Sequence, residues 1–241
     1  MLMDIAADAD IIVTADLIQA THNMMSPQSV RNALSSLGSK GHLFRLKRGI
    51  YLRCEGPGMP VIEDPKKIAL FLFDGYIGFS SALQHWDLIE YESFDVFVVS
   101  QNKSGCRQVG EYEIRAVAMG EKAQGMIFDK GIYVSTLEKT IFDCIYKPRH
   151  SGGYPLVAKA ISESTPDWKE VHRWFELMAS RSLFQRAGYV LSKAGNVPEW
   201  LLDDLRSKVE HKSRLDPSGK SKGTYIKEWK LIDNVGVWNL G

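Results

Sequence analysis

The sequence predicts an α+β protein in two unequal parts. A helix–helix–hairpin unit occupies residues 1–55. A larger mixed α+β body follows over 66–196 and continues over 197–241 into one more helix and a basic tail. Three observations predict this. Apolar residues spaced i, i+3, i+4, i+7 from Val30 to Leu37 give way to period-two alternation between Leu43 and Arg53, the change from a one-sided helix to strands. The segment Gly56-Pro-Gly-Met-Pro60 then interrupts all periodicity, as a linker or sharp turn would, and places a boundary between Cys54 and Pro65. Beyond it, strand-like segments come first and helix-like segments later, the order of an α+β domain.

Each element has a local reason. Ile12 and Val13 read as a short strand leading into a helix to residue 20, with Thr14 as its N-cap and Leu17 and Ile18 as its apolar face. After the break at Thr21-His-Asn23, Ser26-Pro27 supplies an N-cap followed by proline at the first helical position, where its missing N–H costs nothing. Val30, Ala33, Leu34 and Leu37 form the buried stripe of this second helix, and Gly38 and Gly41 end it. Its other face carries Gln28, Ser29, Arg31, Asn32, Ser35 and Ser36, all polar and none acidic. Then Phe44 and Leu46 alternate with Arg45 and Lys47, and Ile50 and Leu52 with Tyr51 and Arg53, two runs joined at Gly49 in the manner of a β-hairpin. Its apolar side is expected to cover the helix, leaving Arg45, Lys47, Tyr51 and Arg53 on the open side and Arg48 at the tip.

In the body, 66–73 reads as a helix and 76–79 as a strand running into a helix over 80–86. Strands are expected at 94–99, 113–118 and 132–134, with a weaker signal at 125–128. Helices follow at about 136–146, 155–163, 167–179 and 181–194. Ser135-Thr-Leu-Glu138 has the pattern of a capping box. From Pro198 one more amphipathic helix precedes a Lys-rich segment, Pro217-Ser-Gly-Lys-Ser-Lys-Gly223, expected to be mobile. No internal repeat is present.

Composition narrows the function classes. With 44% hydrophobic and 24% charged residues the chain is neither a disordered nor a collagen-like sequence. The longest apolar run, Ile68 to Phe73, stops at Asp74, well short of the roughly 18 residues of a membrane span. Asp4, Asp8 and Asp10, with no Lys or Arg among them, are the wrong charge for a secretory signal, so a cytoplasmic location without a membrane partner is expected. Cys54, Cys106 and Cys144 are odd in number and scattered, the pattern of neither a disulfide framework nor a zinc knuckle.

Net charge is only +1, but it is unevenly distributed. Ser26 to Arg53 holds Arg31, Lys40, Arg45, Lys47, Arg48 and Arg53 without a single acid, where a solvated surface normally mixes both signs. Helix, turn, polar-faced helix and basic hairpin, in that order, are the parts of a winged helix-turn-helix. The chemistry fits a major groove. Asn and Gln pair bidentately with adenine and Arg with guanine, which makes Gln28, Arg31 and Asn32 the candidate base readers. Ser29 and Ser35 are short enough to reach phosphates, and Arg45, Lys47, Arg48 and Arg53 are placed to position the duplex backbone. Double-stranded DNA is the expected partner.

Enzyme signatures are mostly missing. The six histidines never fall at i, i+4 or beside a Cys in zinc-ligand spacing. His150-Ser-Gly-Gly153 has the flavour of a phosphate cradle without the strand, Lys-Ser/Thr and helix of a P-loop, and reads as a loop. Asp143 and Cys144 sit among Ile141, Phe142 and Ile145 on a core helix, and the aromatics Phe71, Phe73, Phe79, Trp86, Phe142, Trp174 and Phe175 fall at core spacing. A non-enzymatic binding protein is expected, with no catalytic residue, no metal and no cofactor.

Four segments in this order resemble the AbiEi family of antitoxins, transcriptional regulators of type IV toxin–antitoxin systems. Ser26-Pro-Gln-Ser-Val-Arg-Asn-Ala-Leu-Ser-Ser-Leu37 and Gly41-His-Leu-Phe-Arg-Leu-Lys-Arg-Gly-Ile-Tyr-Leu52 are similar to that family's winged helix. Phe79-Ser-Ser-Ala-Leu-Gln-His-Trp-Asp-Leu88 and Thr136-Leu-Glu-Lys-Thr-Ile-Phe-Asp-Cys-Ile-Tyr146 resemble motifs of its second domain. The resemblance implies a repressor that binds inverted repeats at its own promoter and opposes a nucleotidyltransferase-like toxin through its C-terminal domain. The other reading is a protein-interaction module whose second domain docks such a toxin without specific DNA binding. A dimer or successive monomers could read an inverted repeat, and no heptad pattern decides between them.

Overall fold

Ser26 caps its helix as the sequence predicts, its hydroxyl accepting from the Ser29 amide at 3.1 Å, and the helix runs from Pro27 to Ser39 (α2). The computed structural model describes residues 10–90, 93–236 and 238, so the acidic start with Asp4 and Asp8 lies outside the described residues. Before α2 come strand β1 (Ile11–Val13) and helix α1 (Thr14–Ala20). Thr14 does not cap α1. Its amide donates to the Gly49 carbonyl at 2.8 Å and Val13 takes the extended N-cap position, because β1 is still paired to the hairpin when the helix begins.

The hairpin is β2 (Leu43–Lys47) and β3 (Ile50–Gly56), turned at Gly49, whose φ of +80° lies in the region glycine enters without strain. The Gly56–Pro60 segment is a second sharp turn that brings β4 (Met59–Pro60) back onto β3. Strand order is β1-β3-β2, with β4 off β3.

Register corrects the expectation for this sheet. Tyr51 pairs with Ile12 on one side and Arg45 on the other, and Leu43 with Arg53. Ile12, Leu43 and Tyr51 all pack with Leu17, Val30 and Leu34, so this is the face turned to α1 and α2. The opposite face, with Leu46, Ile50 and Leu52, packs against the larger unit. Tyr51 is therefore buried rather than open, and both faces of the sheet are covered. Period-two alternation identifies two faces, but it does not say that a second layer covers the basic one.

In the larger unit, helix α3 (Pro65–Leu72), capped by Asp64, leads to strand β5 (Tyr76–Ile77) and helix α4 (Phe79–His85). Strands β6 (Asp95–Ser100), β7 (Gly105–Val109), β8 (Tyr112–Ala118), β9 (Met126–Asp129) and β10 (Ile132–Ser135) complete a six-stranded mixed sheet in the order β7-β8-β6-β5-β10-β9. Alternate residues of β6 divide its two sides. Val96 and Val98 join Ile68, Ala69 and the hairpin residues, whereas Phe97 and Val99 join Tyr76 and Phe79. β7 has no sequence signal because it is a polar edge strand exposed from Gly105 to Gln108.

Helices α5 (Leu137–Tyr146), α6 (Tyr154–Ser162), α7 (Trp168–Met178), α8 (Arg181–Ala194) and α9 (Glu199–Ser207) build a second core around Phe142, Val157, Phe175 and Leu191. The cap of α5 is Thr136, not Ser135. Thr136 accepts from the Lys139 amide, while Ser135 ends β10 and bonds the Thr140 hydroxyl. Glu138 accepts instead from the Asp167 amide at 3.2 Å. Of the aromatics placed in the core by spacing, Phe79, Phe142, Trp174 and Phe175 are buried, and Phe71, Phe73 and Trp86 are half-buried.

The tail is more ordered than its composition implies. Strands β11 (Ser213–Arg214), β12 (Thr224–Ile226) and β13 (Leu231–Asp233) form a small sheet in the order β11-β13-β12. Leu215, Trp229 and Leu231 are buried in the helical core. The 217–223 segment is the connection from β11 to β12, held by Asn234, which donates to the carbonyls of Asp216 and Lys220.

Candidate nucleic-acid interface

The helix α2 turns two unlike faces to its surroundings. Val30 and Leu34 are buried against the sheet, which leaves Gln28, Ser29, Arg31, Asn32, Ser35 and Ser36 exposed. The Gln28 amide donates to Asn32 Oδ1 at 2.9 Å, so one carboxamide is oriented by the other and the Asn32 NH₂ remains outward. Ser29 shares a hydroxyl–hydroxyl bond of 2.9 Å with Ser26 at the cap. These side chains leave α2 as an acid-free row of donors and acceptors.

The hairpin cations divide. Arg48 is exposed at the turn. Arg45 is exposed and shares the register of Tyr51, which places it on the α2 side of the sheet. Lys47 pairs in register with Ile50, beside a bulge, and so stands on the side turned to the larger unit, half-buried. Arg53 is engaged: its guanidinium pairs with Asp10 at 3.3 Å and its amide bonds the Asp10 carbonyl. Among the described residues Arg45 and Arg48 have no carboxylate partner, whereas Arg53 is a structural tie. Sequence reasoning missed Arg107 on β7, whose guanidinium donates to the Arg45 carbonyl at 3.2 Å and sets a further exposed cation beside the wing.

Two other charged clusters lie in the larger unit. Lys139 and Asp143, one turn apart on α5, form an ion pair with both side chains fully buried, and the Tyr76 hydroxyl donates to Asp143 at 3.5 Å and to the Gln124 carbonyl at 3.1 Å. Burial pushes the Asp143 carboxyl up and the Lys139 ammonium down, each against the pull of its partner. The rings of Tyr76, Phe142 and Trp174 surround the ammonium. On α7 and α9, His172, Glu176 and Asp204 bring ligand-type atoms within 4.8 Å of one another. Lys208 bonds both carboxylates there, so an ammonium already supplies the cluster's positive charge. Partial burial opposes ionisation of Asp204, but Lys208 and His172 outweigh it and hold the carboxyl below its usual range.

The class this architecture defines is a mixed α+β protein carrying a helix–helix–hairpin unit packed on a larger sheet-and-helix body. No family model matches the chain, and no curated protein does. Among solved structures it is similar to the crystal structure of the Rv2827c protein from Mycobacterium tuberculosis, with a TM-score of 0.67 over 96% of this chain and 89% of that one. Identity is 15%, so the likeness establishes a shared fold. Among the described residues no helix is long and apolar enough to cross a membrane.

Proposed function

We propose that the chain is a sequence-specific double-stranded DNA-binding transcriptional regulator, an AbiEi-type antitoxin that represses its own promoter through inverted repeats. Its larger unit would oppose a nucleotidyltransferase-like toxin in the cytoplasm, acting by binding and not by catalysis. The observation that carries the DNA half is the exposed, acid-free face of α2 with Arg45, Arg48 and Arg107 beside it. Short polar groups on a protruding helix read base edges, and cations at its flank neutralise phosphates. The antitoxin half rests on the four motif segments.

Fluorescence anisotropy with the chain's own upstream region and a scrambled duplex, at several salt concentrations, tests this directly. The upstream duplex is expected to bind at least about 10³-fold more tightly at physiological salt. Equal, weak binding to both would remove specific regulation. Asn32→Ala is expected to cost about 1–3 kcal/mol and to relax the preference at one base pair. Arg48→Ala should weaken both duplexes alike and reduce the salt slope by about 1. An unchanged slope would take the wing out of the interface.

One observation favours the protein-docking reading as well. Met126, Phe128 and Tyr133 are about half-exposed or more on the edge hairpin β9–β10, and unpaired apolar edges are places where another chain adds. Phe128→Glu should then abolish co-purification of the neighbouring gene's product while leaving the anisotropy titration unchanged. Loss of DNA binding in that variant would count against two separate surfaces.

A further inference from the structure

The motif His150-Ser-Gly-Gly153 has no part in the DNA-binding reading, and it lies beside a cationic cavity. His150 belongs to a short 3-10 turn, Pro148–Ser151, between α5 and α6. A cavity of about 290 Å³ opens there, lined by Lys147, Arg149 and His150 from this turn, Tyr154 from α6, Arg186 from α8 and Asp216 from the tail. This is near the lower end of the roughly 300–1,000 Å³ of small-molecule sites.

Its charges do not balance. Three permanent cations face one acid, and that acid is engaged: Asp216 accepts from both the amide and the hydroxyl of Ser218 and pairs with Arg149 at 3.5 Å. Among the described residues, Lys147 and Arg186 have no carboxylate partner. Lys147 reaches only the Ala118 carbonyl, at 3.4 Å. Arg186 donates to the Ser182 hydroxyl at 3.1 Å and to the Tyr154 hydroxyl, while its Nε is buried with no acceptor. A buried guanidinium N–H without an acceptor carries its full desolvation cost. His150, packed against Phe79 and Phe97, is pushed toward the neutral form chiefly by burial and then by Lys147 and Arg115.

We infer that this cavity binds a small phosphorylated anion, inorganic phosphate or the phosphate monoester of a mononucleotide, through Lys147, Arg149 and Arg186. The excess of two positive charges matches a phosphate dianion better than a carboxylate. Guanidinium forks suit tetrahedral oxyanions, and an oxygen reaching Arg186 would give its orphan N–H an acceptor.

The test uses the full chain, in thermal unfolding and calorimetric titration with inorganic phosphate, with AMP and with a duplex lacking the upstream sequence, against chloride at matched ionic strength. Phosphate and AMP are expected to raise Tm saturably, as ligands of the folded state do. Arg186→Met and Lys147→Met should each weaken binding at least about tenfold, the value of one charge-assisted hydrogen bond, and Lys169→Met on the far-exposed start of α7 should not. Because Arg186 is partly buried, Arg149→Met, at a side chain 67% exposed, serves as the variant that puts the fold least at risk and should weaken binding likewise. Equal Tm in phosphate and chloride, or equal affinity in all variants, would overturn the assignment. Protection by the duplex alone, lost in these variants, would make the cavity a backbone-phosphate contact and overturn the small-ligand assignment as well.

Discussion

Trp229→Ala is expected to cost about 3–5 kcal/mol, the range for deleting a large aromatic from a packed core, and to shift the urea midpoint accordingly. The residue lies in the Lys-rich tail, yet its side chain is fully buried. Three features hold it. Gln185 on α8 donates to the Trp229 carbonyl at 2.6 Å and also to those of Lys230 and His211 at 3.0 Å. Arg206 lies over the indole at 5.3 Å and pairs with Glu228 at 2.6 Å. The backbone of Gly188 passes so close that a Cβ there would stand 2.0 Å from the ring. Gly188→Ala should therefore destabilise by about 1–3 kcal/mol through overpacking, and much less when Trp229 is already alanine, a coupling that a double-mutant cycle reads. The indole N–H has no partner among the described residues, so Trp229→Phe should be far milder than Trp229→Ala. A tail that could be removed without loss of stability would contradict all of this.

Asp143→Ala should be as severe, about 3–5 kcal/mol, because it strands the Lys139 ammonium in the core. Both side chains are fully buried, and Lys139 is further enclosed by Phe142 and Trp174. The pair itself need not stabilise the fold, since the desolvation of two charges offsets their attraction. The informative comparison is the double variant Lys139→Met with Asp143→Leu, expected to recover most of the stability lost by either single change. If the double variant is as unstable as the singles, the pair is positioning Tyr76 rather than merely neutralising itself. Chemical denaturation of the four proteins distinguishes the cases.

The contrast between α2 and α5 shows where sequence reading ends. The stripe Val30, Leu34 and Leu37, the Ser26-Pro27 start and the turn at Gly49 are local patterns, and the elements follow from them directly. The spacing of Lys139 and Asp143 is equally local, but a Lys–Asp pair four apart on a helix is normally a solvated one. Only the packing of β5 and α7 against α5 makes it a core feature. Tyr51 and Arg53 depart from the alternation for the same reason: it assigns them to an open face, but Tyr51 is buried beneath α2 and Arg53 pairs with Asp10. The polar row of α2 is legible because it stays exposed, with no layer over it among the described residues. Arg107 was not, since an edge strand exposed on both sides has no hydrophobic period.

The sheet β1-β3-β2 is packed on both sides, so it is in contact with both α2 and the larger unit. Ile50 and Leu52 belong to the same packed cluster as Ile68, Val98 and Ile132, and their next-door neighbour Tyr51 belongs to the cluster beneath α2. If α2 binds DNA as proposed, and the DNA and a molecule on the larger unit each prefer one position of this sheet, each changes the other's affinity by the same factor. On the proposed reading, reciprocity of this kind would make a promoter a sensor of whatever occupies the second unit.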